Sequence, residues 1–218
     1  MRVASLVLVA LLVAGCGGGP TTSGPTAARS LVLRPSDLPD GWAASPHDTA
    51  ADNYAPIAAR YARCVGQRAG LPADGEQASS PDFAQRNGAR QVKSTVVRAG
   101  EDVARRVVRN LDRARSAGCL TDAFQAILPG SQVEGLQVRS VDTDPVDIEA
   151  DADELIAFRT ALGLRLGTTE FVVYVDNVFL ATGPWFGRMY FVGTGQPLDG
   201  GLEHRLVATL AGRLADAR

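Results

Sequence analysis

The chain has 218 residues, of which 45% are hydrophobic, and a formal net charge of -2. This length is enough for one sizeable core. So weak a charge gives no reason to expect nucleic acid or another polyanion as a partner.

The first sixteen residues have the pattern of a lipoprotein leader. Arg2 precedes an apolar run over residues 3–14, interrupted only by Ser5, and Gly15-Cys16 follow it. The run is too short to cross a bilayer as a helix, so it predicts a signal peptide over residues 1–15. We expect cleavage before Cys16, acylation of its thiol, and a protein attached by lipid to the outer face of the plasma membrane.

The rest of the chain predicts a flexible tether over residues 16–30, rich in Gly, Pro, Ser and Thr, and a single domain over 31–218. Runs of sequential strands flanked by helices favour an α+β fold, an antiparallel β-sheet of about 4–6 strands with helices packed on one face. The last three strands should form a meander. In chain order, the sequence predicts an apolar run at 31–33, a turn at 39–42 that Trp42 anchors to the core, a helix at 54–70 and a polar loop at 72–82. A strand at 90–99 follows, and then a helix from 100 that is interrupted at Gly118 and ends before Pro129. The remaining predicted elements are strands near 131–141, 153–166, 169–181 and 187–193, and a helix at 198–217.

Two cysteines remain once Cys16 carries the lipid. Cys64 and Cys119 would lie in an oxidising compartment, where a pair of thiols allows one pairing. We therefore predict a Cys64–Cys119 disulfide, with two buried free thiols as the alternative. Neither His47 nor His204 lies at zinc-ligand spacing from a cysteine, so we expect no metal site there.

Three surface features are candidates for binding. Seven carboxylates between Asp142 and Glu154 are typical of a solvated loop beside an edge strand, with a weak Ca²⁺ site as the alternative. Five arginines between Arg105 and Arg115 indicate an exposed basic helix face, with contact to anionic lipid or a partner as the alternative. Trp185 and Phe186 lie at a predicted hairpin tip, either folded into the core or exposed as partner contacts.

Catalytic motifs are missing from the sequence. It contains no G-x-S-x-G elbow, no P-loop and no dinucleotide fingerprint, and its two histidines are distant in sequence from any candidate nucleophile. We predict no enzymatic activity, no catalytic residue and no cofactor.

Several segments resemble a group of actinobacterial envelope lipoproteins, many of them mycobacterial. These are Leu33 to Trp42, Cys64-Val65-Gly66, Ser80 to Phe83 and the closing region from Phe191 to Leu214. The excess of Arg over the single lysine, Lys93, agrees with a GC-rich genome. The domain is also similar in style to the extracellular sensor-like domains of mycobacterial receptor kinases, although it has a lipid in place of a transmembrane helix.

The resemblance implies a membrane-tethered, non-enzymatic module that binds or senses an envelope ligand or protein partner. The alternative is a carrier of lipid or glycolipid, which requires an apolar cavity between the sheet and the helices. A hydrolase is a third class, and it requires a pocket in which polar groups converge.

Overall fold

The computed structural model describes residues 26–45, 55–66, 76–85, 88–111, 113–127 and 135–218. Cys16, the predicted signal peptide and His47 lie outside these residues. Within them the fold is α+β, with an open antiparallel sheet of eight strands and five α-helices. The strands are β1 Trp42–Ser45, β2 Gln77–Ser79, β3 Asp82–Gln85, β4 Arg90–Arg98, β5 Leu136–Val146, β6 Glu154–Leu166, β7 Thr169–Thr182 and β8 Trp185–Thr194. The helices are α1 Thr26–Leu31, α2 Ala55–Cys64, α3 Glu101–Arg109, α4 Arg113–Ile127 and α5 Gly200–Asp216, with a short 3₁₀ helix at Pro35–Asp37.

The strands are ordered β1-β3-β4-β8-β7-β6-β5, and β2 pairs with β4 beyond the end of β3. Strands β6, β7 and β8 follow one another as antiparallel hairpins, which confirms the predicted meander. Gly167 and Gly183 lie in the two connecting turns with φ of 60° and 54°, a conformation that favours glycine.

The sheet has more strands than predicted because three short ones precede β4. The expected loop at 72–82 contains β2 and the start of β3, which run consecutively along the same edge of β4. Pro81 separates them, since proline has no N–H to donate to the ladder. Ser80 spans the break, because its N–H donates to the Ser94 carbonyl and its hydroxyl accepts from the Ser94 N–H.

Helices cover both faces of the sheet, and the expectation that they cover one face is wrong. One face, here the disulfide face, packs against α2, α3 and α4. The other, here the α5 face, packs against α1 and α5. Alternation along β7 supplies both cores: Val173, Val175 and Phe179 point to the disulfide face, and Val178 and Leu180 to the α5 face.

Two helix boundaries also differ from the prediction. Helix α1 occupies the end of the predicted tether, where Ala28 and Leu31 are buried in the core of the α5 face. The described chain therefore packs against the core from Ala28, before the predicted start at residue 31. The break in the central helical stretch lies between Arg109 and Arg113, and Gly118 continues within α4.

Helix α5 matches its prediction in position and in its apolar stripe. It begins after Asp199, whose carboxylate accepts a hydrogen bond from the Leu202 N–H at 2.9 Å. Its inward residues repeat at the helical period, so one continuous stripe packs on the sheet. The stripe contains Leu202, Leu206, Val207, Leu210, Ala211 and Leu214.

Candidate functional site

A buried group of ionisable side chains lies between the sheet and α5. It consists of Arg159 on β6, Asp176 on β7 and Glu203 on α5, and we call it the Arg159 cluster. Register places Arg159 directly opposite Asp176, on the face that α5 covers. The guanidinium binds Asp176 through two hydrogen bonds, Nε–Oδ1 and Nη2–Oδ2, each 2.7 Å long. Nη2 also lies 3.4 Å from Glu203 Oε2.

Burial decides the electrostatics of the Arg159 cluster. The side chains of Asp176 and Glu203 are each 2% exposed, and that of Arg159 is 29% exposed. Burial, together with the nearby charge of Asp176, raises the pKa of Glu203 to about 7, although Arg159 acts in the opposite direction. Burial also raises the pKa of Asp176, while its bonds to Arg159 oppose that rise. The hydrogen bond to Asp176 raises the pKa of Arg159.

The cluster contains two carboxyl groups and one guanidinium. Arg159 and Asp176 form a bidentate ion pair, so Glu203 has only the longer contact. Its second oxygen, Oε1, is buried with no hydrogen-bond partner among the described residues. Such a carboxyl group favours its neutral form. Glu203 can therefore hold a proton near neutral pH and release it at higher pH.

A second polar group lies on the disulfide face, at the junction of β3, β4 and β8. Lys93, the only lysine in the chain, places Nζ 3.2 Å from Asp82 Oδ2. The Tyr190 hydroxyl donates to Asp82 Oδ1 at 3.0 Å. Beside them, Arg188 donates to Asn177 Oδ1 at 2.9 Å. The Lys93 and Arg188 contacts link neighbouring strands, whereas the Tyr190–Asp82 bond spans β4.

The predicted disulfide is confirmed. Cys64 at the end of α2 is bonded to Cys119 in α4, with a Cα–Cα distance of 5.6 Å. Tyr61, one turn before Cys64, lies against Phe179 of β7 with ring centroids 6.4 Å apart. The bond attaches α2 to its neighbour α4, and the ring contact attaches it to the sheet.

Trp185 and Phe186 are core residues, so the alternative in which they contact a partner is wrong. Trp185 is 2% exposed on the α5 face and Phe186 is 5% exposed on the disulfide face. Consecutive strand residues point to opposite faces, and both faces are covered here. The Trp185 indole donates to the Ala217 carbonyl at 3.2 Å. The tip of the hairpin is Gly183-Pro184, and both aromatics belong to β8.

The acidic stretch ends in structural contacts. Ile148 is buried in the loop between β5 and β6, flanked by exposed carboxylates. Asp153 accepts a hydrogen bond from the Gly183 N–H at 2.8 Å and one from Arg218 at 2.9 Å. In the part of the chain that the structure describes, no three His, Cys, Asp or Glu side chains are grouped so that they could hold a metal ion.

The basic face of α3 is partly engaged within the molecule. Arg105 forms an i,i+4 pair with Glu101 at 3.3 Å, as expected for an exposed helix. Arg109 pairs with Glu154 at the start of β6.

His204 on α5 is exposed. Among the described residues, no helix is long and apolar enough to cross a membrane.

Comparison with known proteins gives only distant structural similarity. No family model and no curated protein matches the chain. An uncharacterized protein from Mycobacterium smegmatis is similar at 13% identity and a TM-score of 0.38, over 86% of this chain and 83% of that one. The extracellular domain of PknH from Mycobacterium tuberculosis is similar at 11% identity and a TM-score of 0.43, over 89% and 96%. Similarity at this level carries no argument about function.

The sequence did not predict the Arg159 cluster. Its three members lie 17 and 27 positions apart, on two strands and a helix. One signal was present in the sequence: Glu203 interrupts the apolar stripe of α5 between Leu202 and Leu206.

Proposed function

We propose that this chain is a lipoprotein of the cell envelope that acts as a non-enzymatic binding or sensing module on the outer face of the plasma membrane. The observation that carries the proposal is the leader, an apolar run that ends in Gly15-Cys16. Two or more acyl chains at Cys16 would attach the domain stably to the bilayer, whereas a single chain gives only marginal, reversible binding.

The disulfide supports export of the domain. Structural disulfides persist in oxidising compartments and are rare in the reducing cytosol. The Cys64–Cys119 bond joins two helices of one layer, and there is no second cysteine beside either partner with which it could exchange. This arrangement suits a structural bond in an exported domain.

The described polar side chains of the sheet are bonded to one another, which agrees with a scaffold that supports binding. Arg159 is bound to Asp176, and Lys93 and Tyr190 are bound to Asp82. Two of these contacts join neighbouring strands and the Tyr190–Asp82 contact spans β4, which is typical of structural polar networks. We therefore assign these pairs to the scaffold of a binding module.

The anchor is tested in cells that express the full chain with an alkyne analogue of palmitate. Label on the natural chain and its loss in Cys16→Ser, with the variant leaving the membrane fraction or remaining uncleaved, would support the proposal. Ser23→Ala, in the same predicted tether, is the matched control and should keep the label. Equal membrane retention of Cys16→Ser with normal processing would contradict it.

The binding role is tested on the mature protein purified from its native envelope. Mass spectrometry of copurified material should identify a protein or small-molecule partner that is absent from a preparation unfolded before capture. Bound lipid in fixed proportion would instead favour the carrier alternative.

A further inference from the structure

Glu203 is out of place in the stripe on which it lies. Helix α5 packs its apolar side onto the sheet, and Glu203 is directed inward with that side, 2% exposed. An inward acid at this position faces strand residues and not water. A charged side chain is rarely placed there unless it is fully paired.

Four groups on the sheet side face Glu203 or its partner Arg159. Among the described residues, Arg159 on β6 is the only cation in contact with Glu203, at 3.4 Å, and Asp176 on β7 shares that cation. Tyr174, also on β7, lies near enough to Arg159 to contribute to the rise in the pKa of that guanidinium. Asp144 on the edge strand β5 lies opposite Arg159 in register and is exposed.

The described surfaces that β8 and α1 present to α5 are apolar. Strand β8 presents Met189 and Phe191 to this face, and α1 presents Ala28 and Leu31. On α5 itself, the residue next to Glu203 is His204, which is exposed. No described group therefore offers Glu203 a second positive charge.

We propose that Glu203 is a proton-controlled latch that holds the N-terminal half of α5 on the sheet when neutral and loosens it when ionised. With Glu203 protonated, the Arg159 cluster is electrically balanced, because Arg159 neutralises Asp176. Loss of the proton leaves one buried negative charge in excess, on a carboxylate whose Oε1 has no partner. Moving the first turns of α5 away from the sheet lets water reach that charge.

The loosening is confined to one half of α5 because the other half is tied separately. Arg213 donates to Asp37 through bonds of 2.7 and 2.8 Å, and to the Val32 carbonyl at 2.9 Å. Trp185 bonds the Ala217 carbonyl just beyond the helix. Apart from the 3.4 Å contact between Glu203 and Arg159, the N-terminal half has no charged tie to the rest of the fold among the described residues, and Leu202 and Leu206 hold it by burial.

The direction of the pH effect follows from the chemistry of the group. A carboxyl group whose pKa is higher when the helix is seated favours seating at acid pH. The pKa of Glu203 changes from 4.5 in water to about 7 in the fold. Seating is therefore strongest near pH 4.5 and weakens as the pH rises towards 7. The latch is a detector of acidification, and it does not depend on the lipid anchor.

Hydrogen exchange of the full chain tests the latch, with rates corrected for intrinsic exchange. Linkage over this range predicts that protection of the amides from Glu203 to Val207 falls about 30-fold between about pH 5.5 and about pH 8.5. Amides from Arg213 to Asp216 should change much less. Glu203→Gln should abolish the fall, whereas His204→Gln, the adjacent exposed position, should keep it.

Two outcomes would overturn the latch: equal protection of the natural chain at both pH values, or the same fall in Glu203→Gln. A carboxyl ¹³C titration of Glu203 in the natural chain needs no variant. A midpoint near neutrality is expected, and a midpoint close to that of a free glutamate would also overturn the proposal.

Discussion

Removal of the Cys64–Cys119 disulfide tests how the helical layer of the disulfide face is held. The double variant Cys64→Ala/Cys119→Ala opens a loop between residues 55 apart in sequence. The chain-entropy relation for a loop of that length gives a loss of about 4 kcal/mol in the free energy of unfolding. A loss of this size is a large fraction of the stability of an ordinary domain.

The assay is urea unfolding followed by circular dichroism, with and without reductant. We expect the reduced natural chain and the double variant to unfold at the same lowered midpoint. Exchange of the amides of α2 should rise most, because the disulfide ties that helix to α4 and the Tyr61–Phe179 contact alone is weak. A natural chain whose midpoint does not respond to reductant, although its thiols are then free, would refute this reasoning.

Four further substitutions, one of them a control, follow from the packing and are measured by urea unfolding. Gly193→Ala should destabilise the fold by about 2 kcal/mol, because the added Cβ would lie 2.2 Å from the Gln196 carbonyl oxygen. The control Gly212→Ala, with open space around the added Cβ, should be neutral or stabilising. Equal effects of the two substitutions would contradict the geometry. Leu210→Ala should cost about 3 kcal/mol, as expected for a side chain that is fully buried, and a loss below about 1 kcal/mol would contradict its place in the core. Asp37→Asn should cost about 2 kcal/mol at neutral pH. Burial raises the pKa of Asp37, but the hydrogen bonds from Arg213 and from the Arg34 N–H, with the charges of both arginines, lower it further, so the net shift is downward. This stabilisation is therefore lost as the pH falls through the acid range, and a constant difference between the two proteins would contradict it.

The parts of the fold with strong local periodicity were predictable from the sequence. The leucine repeat of α5 and the dense alternation of β7 each specify an element and its buried side. The disulfide was predictable for another reason, because only two cysteines remained to pair. In these cases local sequence and tertiary packing favour the same structure.

The short strands before β4 were not predictable in the same way. β2 and β3 have three and four residues, and β1 has four, so none is long enough to show a period. Their pairing with each other and with β4 is what makes them strands. Tertiary pairing of this kind overrides weak local preference.

The sequence contained a sign that helices cover both faces of the sheet, but the alternation in the rest of β7 concealed it. Residues 178–181 of β7 form an unbroken apolar run, and all four are buried. A strand with one wet face alternates, whereas a strand between two layers reads as continuously apolar. The same coverage explains Trp185 and Phe186, since adjacent aromatic residues on a central strand fill both cores.

The Arg159 cluster shows where inference from sequence ends. Arg159, Asp176 and Glu203 each look like ordinary charged residues when taken alone. Their meeting depends on the register between β6 and β7 and on the way α5 lies across the sheet. Periodicity specifies the face of an element, but it does not specify its partner.

The most direct test of the account is the mass of the N-terminal peptide of the protein isolated from its native cells. The account predicts a peptide that begins at Cys16 and carries acyl chains, recovered from the membrane fraction. An unmodified peptide that begins at Met1, recovered from the cytosol, would contradict it.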